Sequence, residues 1–299
     1  MKPSVSCIIT TYGRDVKIVK RALDSILAQT FKDFEVIIVD DNRGEGSEAL
    51  SDSIKSLEDE SRGIRVIKTE NGHGAQYARN TGIMKSSGEF VAFLDDDDRW
   101  LPEKLEKQVK LLREDTECGM CYTDGYRVDE ERAPGKRELI HDNFFNPALT
   151  YRELLHEDRI GSTSQAMIRR SVFDTVGLFD TDMPARQDYE MWLRISRSYK
   201  VAGIPEGLYL YNTGADQGKI TRSWKKNVEA HLLLGKKYGE DIRGDRKAKF
   251  NVIFHLAHYY RLGGLKMKAL SCYIRSFFIS PSSFFKQANY LFDKLFNRR

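Results

Sequence analysis

Residues 90–102 read Phe90-Val91-Ala92-Phe93-Leu94-Asp95-Asp96-Asp97-Asp98-Arg99-Trp100-Leu101-Pro102. The apolar run Phe90 to Leu94, rich in aromatic and β-branched side chains, predicts a buried strand. Asp95 to Asp98 follow without a break, and Pro102 stands where a helix admits proline, at its first position. Open α/β sheets place their ligands beyond such strand ends. Adjacent carboxylates repel one another, and a solvated turn needs no such number of them. Hard divalent cations, Mg²⁺ or Mn²⁺, take oxygen ligands of this kind and share them with a substrate's phosphates. An acidic turn capping the next helix accounts for the same residues. The surrounding chain weighs between the two.

Upstream, Val5 to Thr11 predicts a strand that ends at Tyr12-Gly13-Arg14, and Asp15 caps a helix with apolar positions at Val16, Val19, Leu23, Ile26 and Leu27. Phe34 to Val39 predicts a second strand, closed by Asp40-Asp41-Asn42. Strand, helix, strand with near-continuous apolar strands predicts a parallel sheet covered on both faces. A polar helix over 47–57, a strand over 64–68, a turn at Asn71-Gly72-His73-Gly74 and a helix over 75–84 complete the approach to Phe90. Strand ends at Thr10–Tyr12, Asp40–Asn42 and Asp95–Asp98 therefore lie along one edge and converge on one crevice. That convergence favours a ligand site over separate caps.

The bulk composition is that of a soluble globular protein, with 40% hydrophobic and 31% charged residues in 299. Charge is uneven along the chain. Residues 221–299 carry 17 Lys and Arg against 5 Asp and Glu, a balance of +12, and residues 1–220 carry 31 against 39, or −8. An acidic front part and a basic, aromatic-rich tail predict modules with different neighbours; the tail suits an anionic membrane surface better than a nucleic-acid groove. Cys118-Gly119-Met120-Cys121 has CxxC spacing, but no second pair or histidine cluster completes a zinc site, so it reads as a short buried strand. Val5 to Ile9 is too short and polar for a signal-peptide core, and no run of 18 apolar residues exists, so a cytoplasmic protein is expected.

With those residues in view, the chain resembles the family 2 glycosyltransferases of GT-A fold: an α/β domain with a Rossmann-like, mostly parallel central sheet flanked by helices. The matching stretches are Val5 to Tyr12, Ser25-Ile26-Leu27-Ala28-Gln29-Thr30-Phe31, Phe34 to Asn42, Ala78-Arg79-Asn80-Thr81-Gly82, Gly88 to Leu105, Gly177-Leu178-Phe179-Asp180 and Asp188 to Arg194. They occur in the family's order and spacing over residues 3–215. The resemblance implies an inverting transferase that takes a sugar from a nucleotide-sugar, a UDP-sugar first, to a glycan, lipid-linked or protein-linked acceptor. It places the nucleotide on Thr10, Tyr12, Asp41 and Arg79. Asp41 would accept from the uracil edge, and Tyr12 would line or stack on the base. It puts a divalent metal, Mn²⁺ or Mg²⁺, on Asp97 with Asp95, and ribose contacts on Asp95 and Asp96. Asp188 matches the base that deprotonates the acceptor. Gln187 departs from the family's usual glutamate and changes the charge beside that base.

The resemblance further implies a catalytic domain over 1–220, with nucleotide binding over about 1–125 and the acceptor side over about 126–220. Residues 129–146 read as a polar, mobile loop, His141 and His156 as solvated, and 161–165 as acceptor contacts. The segment 212–222 would close over the diphosphate, with Lys219 or Arg222 on phosphate, or serve as a plain linker. Residues 221–299 predict a basic helical region, with helices over 224–238, 245–262, 265–279 and 282–297. Those helices lie at the inner face of a membrane, pack on the catalytic domain, or meet a second subunit in a homodimer. Two rivals remain. Nucleotidyl transfer needs a Gly-rich, cationic loop after the first strand, of which Thr11-Tyr12-Gly13-Arg14 is a poor version. A non-catalytic nucleotide-sugar binding protein would keep the fold and lose the acids, yet Asp97 and Asp188 are both present.

Overall fold

The computed structural model describes residues 2–44, 46–69, 74–129, 132–141, 145–214 and 223–287. The turn at Asn71-Gly72-His73, the segment 215–222 with Lys219 and Arg222, and residues 288–299 of the last expected helix lie outside the described residues. The chain divides into two compact units. The first holds Met1–Tyr151, Arg159–Thr181 and Met191–Gln217; the second holds Arg152–Asp158, Asp182–Glu190 and Gly218–Arg299.

In the first unit, β1 (Val5–Thr11), β2 (Phe34–Asp40), β3 (Ile64–Lys68) and β4 (Phe90–Asp95) run parallel in the order β3-β2-β1-β4. Ile8, Ile9, Ile37, Ile38, Val91 and Ala92 are fully buried, as a sheet covered on both faces requires. Each of the isoleucine and valine side chains contributes about 1.5–3 kcal/mol on burial. Register aligns the strand ends: Thr10 pairs with Val39 on one side and Asp95 on the other, and Thr11 with Asp40. Helix α1 (Val16–Leu27) starts at Asp15, whose carboxylate accepts from the Lys17 N–H at 2.8 Å, and it buries Val19, Ala22, Leu23 and Ile26.

Beyond β4 the sheet is mixed. It continues through β9 (Ala166–Arg169), β6 (Cys118–Val128) and β10 (Lys200–Asn212) to β5 (Arg99–Trp100); β7 (Glu138–Leu139) pairs with β6 and β8 (Ala148–Leu149) with β10. β10 runs parallel to β6, while β9 is antiparallel to both β4 and β6 and joins the two parallel groups. β6 extends past the expected Cys118–Tyr122, because Thr123 and Asp124 are also buried beside β10. Its cysteines are free and buried.

Helices α2 (Glu48–Lys55), α3 (Ala75–Lys85), α4 (Lys104–Glu114), α5 (Tyr151–His156), α6 (Val172–Val176) and α7 (Gln187–Ser198) connect these strands. Pro102 does not open α4 as expected: Glu103 is the cap, and the Pro102 carbonyl instead accepts from the Thr30 N–H at 2.8 Å. Nor is His141 solvated, since its Nδ1 lies 2.9 Å from Asp124 Oδ1 in partly buried surroundings.

The second unit contains α8 (Trp224–Lys237), α9 (Gly239–Gly244), α10 (Arg246–Leu262), α11 (Lys266–Ile279) and a further helical stretch over 281–287. Its core gathers Val228, Ile253, Leu256, Ala257 and Cys272. Asp245 caps α10 by accepting from the Lys247 and Ala248 N–H groups at 2.9 and 3.0 Å. Burial opposes the charge on Asp245, but His156, the Ala248 N–H and Arg152 around it hold its carboxyl well below the usual range. His156 Nε2 lies 3.0 Å from Asp245 Oδ1, so this histidine too is a structural partner and not a solvated one. Among the described residues, no helix is long and apolar enough to cross a membrane.

Candidate active site

The ends of β1, β2 and β4 carry a cluster of polar residues, and their side chains interlock. Just after β2, Asp41 Oδ1 accepts from the Thr69 hydroxyl at 2.8 Å and Oδ2 from the Gly74 N–H at 3.0 Å. Asp40 accepts from the Asn42 N–H at 2.9 Å, and Asn42 Oδ1 accepts from the Gly13 N–H at 2.6 Å. The loop after β1 is thereby pinned to the loop after β2. Gly13 has φ +64°, a left-handed backbone that favours glycine at this turn. Tyr12, next to it, is exposed, with the Arg43 guanidinium 5.3 Å from its ring centroid.

The β4 end is held from three directions. Arg79, on α3 and 8% exposed, donates from Nη2 to Asp95 Oδ1 at 2.8 Å. Ser162 and Thr163 donate to the same carboxylate at 3.2 and 3.3 Å, and its backbone N–H lies 3.1 Å from the Ser164 hydroxyl. Arg14 spans the next pair, with Nε 3.2 Å from Asp96 Oδ1 and Nη2 3.0 Å from Asp97 Oδ2. Arg21 adds a contact to the Asp97 carbonyl at 3.3 Å. Burial pushes the Asp96 carboxyl up to about 6, although Arg14 opposes that rise. Asp98 is turned inward: it accepts from the Ser164 hydroxyl at 2.7 Å and the Asn212 N–H at 3.1 Å. Burial first, then Asp95 and Asp97, pushes its carboxyl well above the usual range.

The quartet therefore splits. Asp98 fastens the turn after β4 to β10, while Asp95, Asp96 and Asp97 stand at the sheet edge, Asp95 partly exposed beside Arg79 and Asp96 and Asp97 buried against Arg14. The sequence reading missed Arg14, treating its loop only as a poor triphosphate cradle; a cation directly after the first strand, facing an acidic run, was the available signal. It also gave 161–165 to the acceptor, whereas Ser162, Thr163 and Ser164 hold the acids.

Hard oxygen donors of this kind suit Mg²⁺ or Mn²⁺. Among the described residues no three His, Cys, Asp or Glu side chains form a cage for an ion. The set fits a cation that takes one or two carboxylates and completes its shell with substrate phosphates, which is the usual mode for these ions.

The model of the family described as "Glycosyl transferase family 2" matches residues 6–177, more than half of the chain. The chain belongs to glycosyl transferase family 2. This glycosyltransferase is 32% identical over 226 residues to the putative teichuronic acid biosynthesis glycosyltransferase TuaG of Bacillus subtilis, covering 75% of the chain and 84% of that protein. It is 27% identical over 231 residues to WfgD of Escherichia coli, named as a UDP-Glc:α-D-GlcNAc-diphosphoundecaprenol β-1,3-glucosyltransferase, covering 75% of the chain and 82% of that protein. In fold it resembles the mannosyltransferase PcManGT of Pyrobaculum calidifontis, solved with GDP-Man and Mn²⁺, with a TM-score of 0.60, 16% identity, and 98% and 81% of the two chains covered. The sheet order and the flanking helices are thus those of the expected GT-A glycosyltransferase fold.

In the second unit, the glycosyltransferase carries Asp188 in the first turn of α7, half-buried, with Oδ1 accepting from the Tyr189 N–H at 2.8 Å. Tyr189 donates its hydroxyl to the Leu154 carbonyl at 2.6 Å, and Glu190 accepts from Lys237 at 2.7 Å. Arg186, two residues before Asp188, has φ 56° and is the one non-glycine with positive φ among the described residues. Its guanidinium lies 3.3 Å from the Tyr259 hydroxyl. Strain of this kind persists only where its surroundings enforce it.

Proposed function

We propose that the chain is an inverting, metal-assisted glycosyltransferase that takes a sugar from a UDP-sugar to a hydroxyl of a glycan, lipid-linked or protein-linked acceptor. The observation that carries this reading is the register that sets Thr10 opposite Asp95 and Thr11 opposite Asp40, which gathers Asp41, Arg79, Arg14 and the acidic run on one sheet edge. Asp41 offers acceptor oxygens to the N–H edge of uracil, and exposed Tyr12 offers a ring face to the base. Asp95 and Asp96 serve the ribose, and Asp97 with Asp95 would hold the cation. When bound, such a cation offsets the charge that develops on the leaving diphosphate, with no proton donor needed.

The chain's own residues do the rest. Arg79 holds Asp95 in place, and Arg14 balances the charge of Asp96 and Asp97 until the donor arrives. Asp188 takes the proton of the attacking hydroxyl, its carboxylate oriented by the Tyr189 N–H. The name of WfgD, with its UDP-glucose donor and diphosphoundecaprenol-linked acceptor, supports the UDP-sugar and lipid-linked choices. The name of PcManGT, solved with Mn²⁺, supports a divalent ion.

A panel of nucleotide-sugars assayed by thermal shift with Mn²⁺ tests the reading. UDP-sugars should raise the melting temperature, and Asp97→Ala should abolish the Mn²⁺-dependent part. A panel in which no nucleotide shifts the protein would refute it.

A further inference from the structure

Helix α11 has two apolar faces. One buries Ala269, Cys272 and Ser276 within the second unit. The other leaves Met267 79%, Leu270 52%, Ile274 49% and Phe278 77% exposed, and Phe285 in the helical stretch over 281–287 is 58% exposed. At 100° per residue, Met267, Leu270, Ile274 and Phe278 fall within an arc of about 80° opposite the buried face. Lys268 and Arg275 stand on one flank of that stripe and Lys266 on the other, all exposed. Large side chains left out of water-excluding contact at such spacing mark an interaction surface, not scattered exposure.

We infer that this face lies on a membrane surface containing anionic lipid, with the apolar stripe at the acyl boundary and the flanking cations among the headgroups. An amphipathic helix with basic flanks is built for that interface. Charge chooses between the candidate occupants. Residues 221–299 carry 17 Lys and Arg against 5 Asp and Glu. A second copy meeting this face isologously would set that excess against itself. Anionic headgroups neutralise it instead, and each cation near the surface adds to the binding. No described helix spans a bilayer, so the contact is peripheral.

The test is co-sedimentation of the full chain with vesicles of phosphatidylcholine alone and of phosphatidylcholine with about one quarter phosphatidylglycerol. Partition onto the anionic vesicles should be at least roughly tenfold stronger and should weaken several-fold at high salt. Ile274→Glu with Phe278→Glu should cost at least about tenfold in partition with an unchanged melting temperature, because both side chains face outward. Lys268→Glu with Arg275→Glu, which spares the apolar stripe, should abolish the preference for anionic vesicles. Absence of binding to anionic vesicles, or undiminished binding by both double variants, would overturn the inference. So would a dimer seen by light scattering that Ile274→Glu with Phe278→Glu dissociates, since the face would then belong to a second copy.

Discussion

Nη2 of Arg79 lies 2.8 Å from Oδ1 of Asp95, tying a residue of α3 to the last residue of the central strand. Arg79 is nearly buried, and its guanidinium also sits 5.8 Å from the Phe179 ring centroid. Arg79→Ala should weaken UDP binding by about tenfold or more, or roughly 1.4 kcal/mol. Ser162 and Thr163 still donate to Asp95 in that variant, so the fold should survive with a modestly lower melting temperature. Arg79→Lys should recover only part of the loss, because an ammonium lacks the planar fork. Titration calorimetry decides; unchanged affinity in Arg79→Ala would remove the residue from the donor site.

Gly88 precedes the central strand under a different constraint. A Cβ there would sit 2.7 Å from the Ser6 N and 2.8 Å from its hydroxyl oxygen, and that hydroxyl donates to Glu35 at 2.7 Å. Ser87 and Arg65 bond the same carboxylate; although burial opposes its charge, Ser6, Ser87 and Arg65 hold it below its usual range. Gly88→Ala should therefore destabilise by about 1–3 kcal/mol, as overpacking does. Urea denaturation measures it, and a neutral result would show that β1 and β4 yield more readily than their register suggests.

In the second unit, burial pushes His231 down to about 3, with Arg186 adding to the effect, while the Asn227 carbonyl opposes it. The folded state thus resists a proton that the unfolded chain accepts near 6.5. Between those values the unfolded state binds more protons, so stability rises with pH there and falls as pH drops below 6.5. By pH 4.5 this one group should cost about 2–3 kcal/mol. His231→Gln should flatten the dependence of the melting temperature between pH 7 and 4.5, whatever its effect at neutral pH. A slope equal to the wild type's would place the acid sensitivity elsewhere.

The parallel half of the fold was legible because β1, β2 and β4 are near-continuous apolar runs and the shorter β3 still carries Ile64, Val66 and Ile67. Val5 to Thr11 and Ile64 to Lys68 appear as read, and Asp15 caps α1 as its position implied. What stayed hidden is set by pairings between distant residues. No periodicity announces that β9 runs antiparallel between β4 and β6, or that Asp98 turns inward to Ser164 and the Asn212 N–H. Arg14 was likewise visible as a letter, but its place across Asp96 and Asp97 depends on how the loop after β1 folds. His141 and His156 were misread for the same reason: their carboxylate partners, Asp124 and Asp245, stand 17 and 89 positions away in the chain.

In the proposed reaction one carboxylate, Asp188, takes the acceptor's proton while others hold the donor. Asp188→Asn keeps shape and polarity but removes the base, so it separates these roles. Once the donor panel has supplied a UDP-sugar that turns over, the measurement is transfer rate and UDP affinity on the same Asp188→Asn preparation. The transfer rate should fall by about a thousandfold or more, with UDP affinity within about twofold of wild type. Transfer at the wild-type rate would contradict it.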